Sequence, residues 1–243
     1  PDLRQAVCSN VMLPSFAASQ FSKEFWKHAI LHKNFYKKIL KICDDDWGQL
    51  LPPAPYPVTL ALARDKKYLY IGVKCTDRER KKIKAVYLRN YTEVWLDDSM
   101  EFFFDANHNH KEYFHLLINQ KGYYHTLFRK KNTTKIRWDA EVLSRPFMWE
   151  NGWGLEIAIE LKSFGKKISR NSIWGFNVGR NFANQDREKR VPVTLAPLHV
   201  QGWDIPARFT DLYFEEKPAY VKKILLNGEN LVNAESNAFF PPS

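Results

Sequence analysis

With 243 residues and a net charge of +10, the chain is long enough to bury a sizeable core as one large β domain or two smaller ones. Hydrophobic residues make up 44% and aromatics 15%, a composition that predicts a globular fold rather than disorder. No apolar run reaches the roughly 18–20 residues of a membrane span. None reads as a signal peptide, and since residue 1 is not Met this carries no weight on export.

The positive charge raises nucleic acid or anionic surfaces as partners. It sits, however, in local runs, "DRERKKIK" (77–84), "FRKK" (128–131) and "KSFGKK" (162–167), which read as solvated loops rather than a groove. Cys8, Cys43 and Cys75 are odd in number and lack CxxC spacing, so a zinc site is not expected and at most one disulfide could form. Cys75 alternates with Ile71 and Val73 and is expected as a buried thiol.

In chain order, residues 1–20 read as a lead-in. Residues 20–46 are mixed, with Phe21, Phe25 and Trp26 placed to seed a short helix or an extended docking segment. "LLPPAPYP" (50–57) is a Pro-rich connector that cannot be helical. Beyond it the pattern is β. "VTLALA" (58–63) and "YLYIGVKC" (68–75) flank "RDKK" as a hairpin, with Leu69, Ile71 and Val73 toward the core. "VWLDDSMEFFFD" (94–105) alternates as a strand, Met100, Phe102 and Phe104 against Ser99, Glu101, Phe103 and Asp105. "EYFHLLIN" (112–119) and "YYHTLF" (123–128) flank "QKG", a second hairpin turning at Gly122. "GLEIAIEL" (154–161) sets Leu155, Ile157, Ile159 and Leu161 against Glu156, Ala158 and Glu160. "SIWGFNVGRN" (172–181) puts Trp174, Phe176 and Val178 on one side, and "RFTDLYFE" (208–215) closes the set. Short strands at this spacing predict an all-β, antiparallel β-sandwich of immunoglobulin-like or jelly-roll-like kind. Its expected bounds are 21–216, with extensions at 1–20 and 217–243.

The order of six pieces resembles a family 9 carbohydrate-binding module: "DKKYLYIGVKCTD" (65–77), "VWLDDSMEFFFD" (94–105), "YFHLLINQKG" (113–122), "NGWGLEIAIELKSFG" (151–165), "WGFNVGRN" (174–181) and "GWDIPARFTDLYF" (202–214). The resemblance implies non-catalytic binding of an oligo- or polysaccharide, with the reducing end of a glucan or xylan held between two tryptophans. Those positions are filled by Trp95 and Trp203. It implies Glu101 and Asn119 as polar contacts to sugar hydroxyls, with Asp98 beside them. An arginine expected two positions before Asn119 is replaced by Leu117, and Arg180 is the candidate substitute, although its parity places it toward the core. Structural calcium is also implied, with Asp97 and Asp98 as candidate ligands and residues 44–46 ("DDD") as further oxygen donors. A secreted, extracellular or periplasmic location follows from such a ligand.

The residue types suit this chemistry. Indoles cover the C–H faces of a pyranose, while a carboxylate accepts from the hydroxyls at its rim. Other readings compete. Each tryptophan could be core, as expected for Trp153 and Trp174. Glu101, Glu156 and Glu160 could be glycosidase carboxylates, but no nucleophile, metalloprotease or phosphate-loop motif accompanies them. His108, His110 and His115 could ligate a metal, and Met100 a haem, though no His partner for it is apparent. Aromatics among basic loops could bind single strands. Finally, Leu117 is compatible with a structural or interaction module that has lost its ligand.

Overall fold

The computed structural model describes residues 5–11, 25–26, 30–32, 36–37, 56–77, 80–130, 136–169, 172–183, 192–196, 204–219, 225–226 and 229–230. Its strands, in chain order, are β1 (Gln5–Val11), β2 (Ile30–His32), β3 (Tyr36–Lys37), β4 (Val58–Arg64), β5 (Tyr68–Thr76), β6 (Ser99–Asp105), β7 (Glu112–Asn119) and β8 (Tyr124–Lys130). They continue with β9 (Ile136–Arg137), β10 (Val142–Trp149), β11 (Gly152–Glu160), β12 (Ile173–Asn181), β13 (Val193–Thr194), β14 (Thr210–Ala219), β15 (Leu225–Leu226) and β16 (Glu229–Asn230). No helix among the described residues is long and apolar enough to cross a membrane.

Two antiparallel leaves follow from the pairing. One runs β10-β11-β5-β4 and the other β14-β12-β6-β7-β8-β9. Strand β1 joins them, parallel to β14 along one stretch and to β4 at Ser9 and Asn10. The apolar residues of both leaves meet in one core. Leu62, Ile71 and Ile157 form a row across the first leaf, and Met100, Phe102, Leu116, Phe176 and Val178 fill the second; all are 0% exposed. Alternation drives this arrangement, since each strand hides every second side chain and burying each aliphatic or aromatic one stabilises the fold by roughly 1.5–3 kcal/mol.

Three features differ from the sequence expectation. The stretch 94–105 is not one strand: Val94–Leu96 forms a 3-10 turn and pairing begins at Ser99. The lead-in contains β1, whose backbone pairing partners lie far away in the chain, so no local signal marks it. Strand β10, with Pro146 inside it, was not expected; it sits at the sheet edge, where a missing N–H is tolerated.

On the outer side of the first leaf, Glu156, Ala158 and Glu160 are buried, not solvated. Phe25 and Trp26 lie across this face. The Trp26 indole donates to Glu156 Oε1 at 3.0 Å, meets Phe147 edge-on and carries the Lys74 ammonium 4.7 Å above its ring. Gly72 makes the docking possible, because a Cβ there would come within 2.7 Å of the Trp26 ring. The docking role read for Trp26 is therefore the one observed.

Cys75 is a free, buried thiol whose sulfur lies 3.5 Å from that of Met100. Burial pushes its pKa up to about 12, against the opposing pull of Arg180. The thiolate is the reactive form, so Cys75 is expected to resist Ellman's reagent in the folded protein at neutral pH and to react only on addition of denaturant. Labelling followed by mass spectrometry of the Cys75 peptide checks this. Cys43 and the Cys8 side chain lie outside the described residues.

Candidate functional site

The outer face of the second leaf is built by register. Glu101 of β6 stands opposite Leu117 of β7, and Phe103 opposite His115; Leu117 in turn faces His125 of β8, His115 faces Leu127, and Tyr113 faces Arg129. On β12, Asn177 and Asn181 share this face, opposite Phe103 and Ser99. The face thus sets a carboxylate, imidazoles and the Asn181 amide over an apolar floor of Phe103 and Leu117, 1% and 5% exposed, while Asn177 is 0% exposed and accepts from Thr194 and Ala196.

Trp95 borders this face from the 3-10 turn. Its ring lies 5.9 Å from that of His125, its carbonyl accepts from Asn181 Nδ2 at 2.7 Å, and it is half-buried. The neighbouring acids hold the turn. Asp97 accepts from the Val86 and Tyr87 amides at 2.9 and 3.2 Å and from Asn119 Nδ2 at 2.9 Å. Asp98 accepts from the Lys84 amide at 2.8 Å. Each carboxylate therefore neutralises backbone donors that a loop would otherwise leave unpaired.

At the far end, Tyr113 and Arg129 both donate to Asp204 Oδ2, the tyrosine at 3.2 Å. Burial and the Asp204 carboxylate push the Tyr113 phenol well up, so it stays a donor. Tyr113 and Leu117 lie four residue steps apart along β7, roughly 13 Å at about 3.3 Å per step.

A family model described as "Carbohydrate family 9 binding domain-like" matches residues 55–217. The chain belongs to this family. No curated protein matches, but solved structures do. A protein of Bacteroides uniformis assigned to carbohydrate binding superimposes with a TM-score of 0.65 at 14% identity, covering 87% of this chain and 99% of its own. A family 9 carbohydrate-binding module of Caldicellulosiruptor kristjanssonii in complex with glucose gives 0.59 at 15% identity, covering 90% and 99%. The same module with cellotriose gives 0.59 at 15% identity, over 93% and 100%. At these identities the likeness is one of fold, an all-β sandwich.

Within this family 9 domain, the residues singled out from sequence divide. Trp95 and Glu101 stand on the outer face. Trp203 lies outside the described residues, although Asp204, next in the chain, is fixed to β7 and β8.

Three others are placed inside. Asn119 is 0% exposed: its Nδ2 donates to Tyr87 O and Asp97 Oδ2, and its Oδ1 accepts from the amides of Lys121 and Tyr123. Arg180, also 0% exposed, donates to Thr76 O at 2.7 Å and Asp77 Oδ2 at 2.9 Å; it points into the core and does not stand in for the arginine missing at Leu117. Asp98 is 0% exposed. These side chains serve the scaffold, because at 0% exposure a sugar cannot reach them.

Of the two calcium candidates, both Asp97 oxygens accept from N–H groups, and Asp98 Oδ2 accepts from the Lys84 amide; residues 44–46 lie outside the described residues. No group of three or more His, Cys, Asp or Glu among the described residues could hold a metal. The three histidines go separate ways: His108 to Asp211 at 2.9 Å, His110 Nδ1 to the Pro206 carbonyl at 3.3 Å and His115 to Glu101 at 2.9 Å. Met100 is packed in the core against Cys75.

Asn181 and His125 were not read as site residues, and His115 was read only as a possible metal ligand. The first had a signal: Asn177, Gly179 and Asn181 alternate against Trp174, Phe176 and Val178, setting two amides on one face.

Proposed function

We propose that this domain is a non-catalytic module that binds a neutral oligo- or polysaccharide on the outer face of its second leaf, as part of a secreted assembly. One observation carries the reading. Glu101 has one oxygen, Oε2, engaged by His115, while Oε1 has no hydrogen-bond partner among the described residues, on a face bordered by a half-buried indole. A carboxylate oxygen of that kind accepts a sugar hydroxyl, and an indole covers the ring's C–H face. Trp203 is proposed as the second stacking residue and the reducing end of a β-glucan or xylan as the ligand. The Caldicellulosiruptor neighbour, seen in complex with glucose and with cellotriose, supports this choice.

Calorimetric and tryptophan-fluorescence titrations with cello- and xylo-oligosaccharides, each paired with its borohydride-reduced alditol, test the proposal. Saturable binding is expected, weakened by about tenfold or more in Trp95→Ala and in Trp203→Ala, since 1.4 kcal/mol of lost stacking is a factor of ten. Binding lost on reduction supports reducing-end recognition; binding that survives reduction discards that mode and keeps the sugar. Raising salt should leave affinity unchanged, whereas a nucleic acid ligand would be released. The burial of Asn119, Asp98 and Arg180 favours one rival, a structural or interaction module. Absence of binding to every sugar would decide for it.

A further inference from the structure

We propose that His115 is a positioning residue for saccharide binding, holding the Glu101 carboxylate in the orientation that accepts ligand hydroxyls; this rests on the reading above. The imidazole lies flat on Phe103, with centroids 4.2 Å apart and planes 20° from parallel. Phe103 is itself locked among Tyr113, Ala196 and Phe209. A ring so packed has one orientation, and that orientation sets Nε2 2.9 Å from Glu101 Oε2.

The contact is diagonal across the sheet. The residue directly opposite Glu101 is Leu117, which offers no hydrogen bond, so His115 is its only hydrogen-bond partner among the described residues. Without it, a side chain with three rotatable bonds would have to be ordered by the ligand at the ligand's expense.

The proton is assigned by the surroundings. His115 Nδ1 is buried with no partner among the described residues. A hydrogen there would be a buried, unsatisfied donor, and it would leave the Nε2 lone pair facing the carboxylate. The hydrogen therefore sits on Nε2, which donates to Oε2. Around the ring, β7 contributes Tyr113, 6.3 Å away between centroids, and Leu117. Strand β8 contributes Leu127 opposite, with His125 and Arg129 on either side along the same face. Glu101 is thus left with one oxygen fixed by the protein and one presented outward.

The test uses the full chain, with cellotriose and xylotriose as probes and calorimetry as readout. His115→Phe keeps a flat ring on Phe103 and removes the donor; affinity should fall about tenfold. His115→Gln restores an N–H toward Glu101 and should recover most of that loss. In a Glu101→Gln background, His115→Phe should cost nothing further, because its effect runs through the carboxylate.

Equal affinity in His115→Phe and wild type would overturn the proposal. So would the same loss with Glu101 already replaced, which would mark a packing effect. Wild type that binds neither sugar would remove the underlying reading and this inference together, whereas binding by wild type with an indifferent His115 removes the inference alone. Should His115→Phe fail to fold, imidazole nitrogen NMR of the wild type decides: a hydrogen on Nε2, with a resonance that moves in Glu101→Gln, supports the assignment, and a hydrogen on Nδ1 refutes it.

Discussion

Arg180→Ala is expected to destabilise the domain by about 3–5 kcal/mol, the cost of leaving one member of a buried ion pair alone. Both side chains of the Arg180–Asp77 pair are 0% exposed. The guanidinium also caps the Thr76 carbonyl and lies 4.5 Å from the centre of the Phe182 ring, with Tyr56 and Trp153 at 5.8 Å. Alanine removes the charge, the hydrogen bonds and the packing at once. In a domain of this size the midpoint of thermal unfolding should drop by roughly 6–20 °C. The double replacement Arg180→Met with Asp77→Asn should recover much of the loss, since an apolar side chain and a neutral amide no longer need each other's charge. Urea unfolding of the three proteins measures this. An unchanged midpoint in Arg180→Ala, together with lost sugar binding, would instead return Arg180 to the ligand.

Asn119→Ala should be nearly as costly, roughly 2–4 kcal/mol, since an unsatisfied buried polar group costs about 1–3 kcal/mol. The Asn119 amide ties three segments: the β7–β8 turn through the Lys121 and Tyr123 amides, the 84–91 segment through Tyr87 O, and the Trp95 turn through Asp97. Its loss should lower the melting midpoint and weaken sugar binding only as a consequence of loosening Trp95. Thermal melts alongside calorimetric titration separate the two roles. Wild-type stability with abolished binding would show that Asn119 is a ligand contact after all.

These two residues also mark where the sequence could be read and where it could not. Strand parity was legible because hydrophobic alternation is local: Met100, Phe102 and Phe104 in β6, or Leu155, Ile157 and Ile159 in β11, are recognisable without knowing their partners. Parity also placed Arg180 inward. It could not place Asn119 or Asp98, because an asparagine or aspartate at the end of a strand looks the same whether it faces solvent, accepts a loop amide 14 positions away as Asp98 does, or donates to a carbonyl 32 positions away as Asn119 does. The Glu101–His115 contact was illegible for a related reason. It depends on a diagonal across two strands, and hence on register, which the turn between them sets. Trp26 was legible as a docking residue, but not its partner Glu156, 130 positions away.

Strand β1 has a practical bearing on how the domain can be produced. The family match begins at residue 55, and an expression boundary chosen there would omit a strand whose backbone bonds to both β4 and β14. The truncated protein would carry two unpaired strand edges along one seam, each a template for intermolecular pairing. It would also lose the β1–β14 pairing, Gln5 with Asp211 through Val11 with Ala219, which joins opposite ends of the domain sequence, has to form after β14 has been made and makes folding slow. Soluble, monomeric material is therefore expected from chains that retain the first eleven residues, and inclusion bodies or oligomers from those that start at the family boundary.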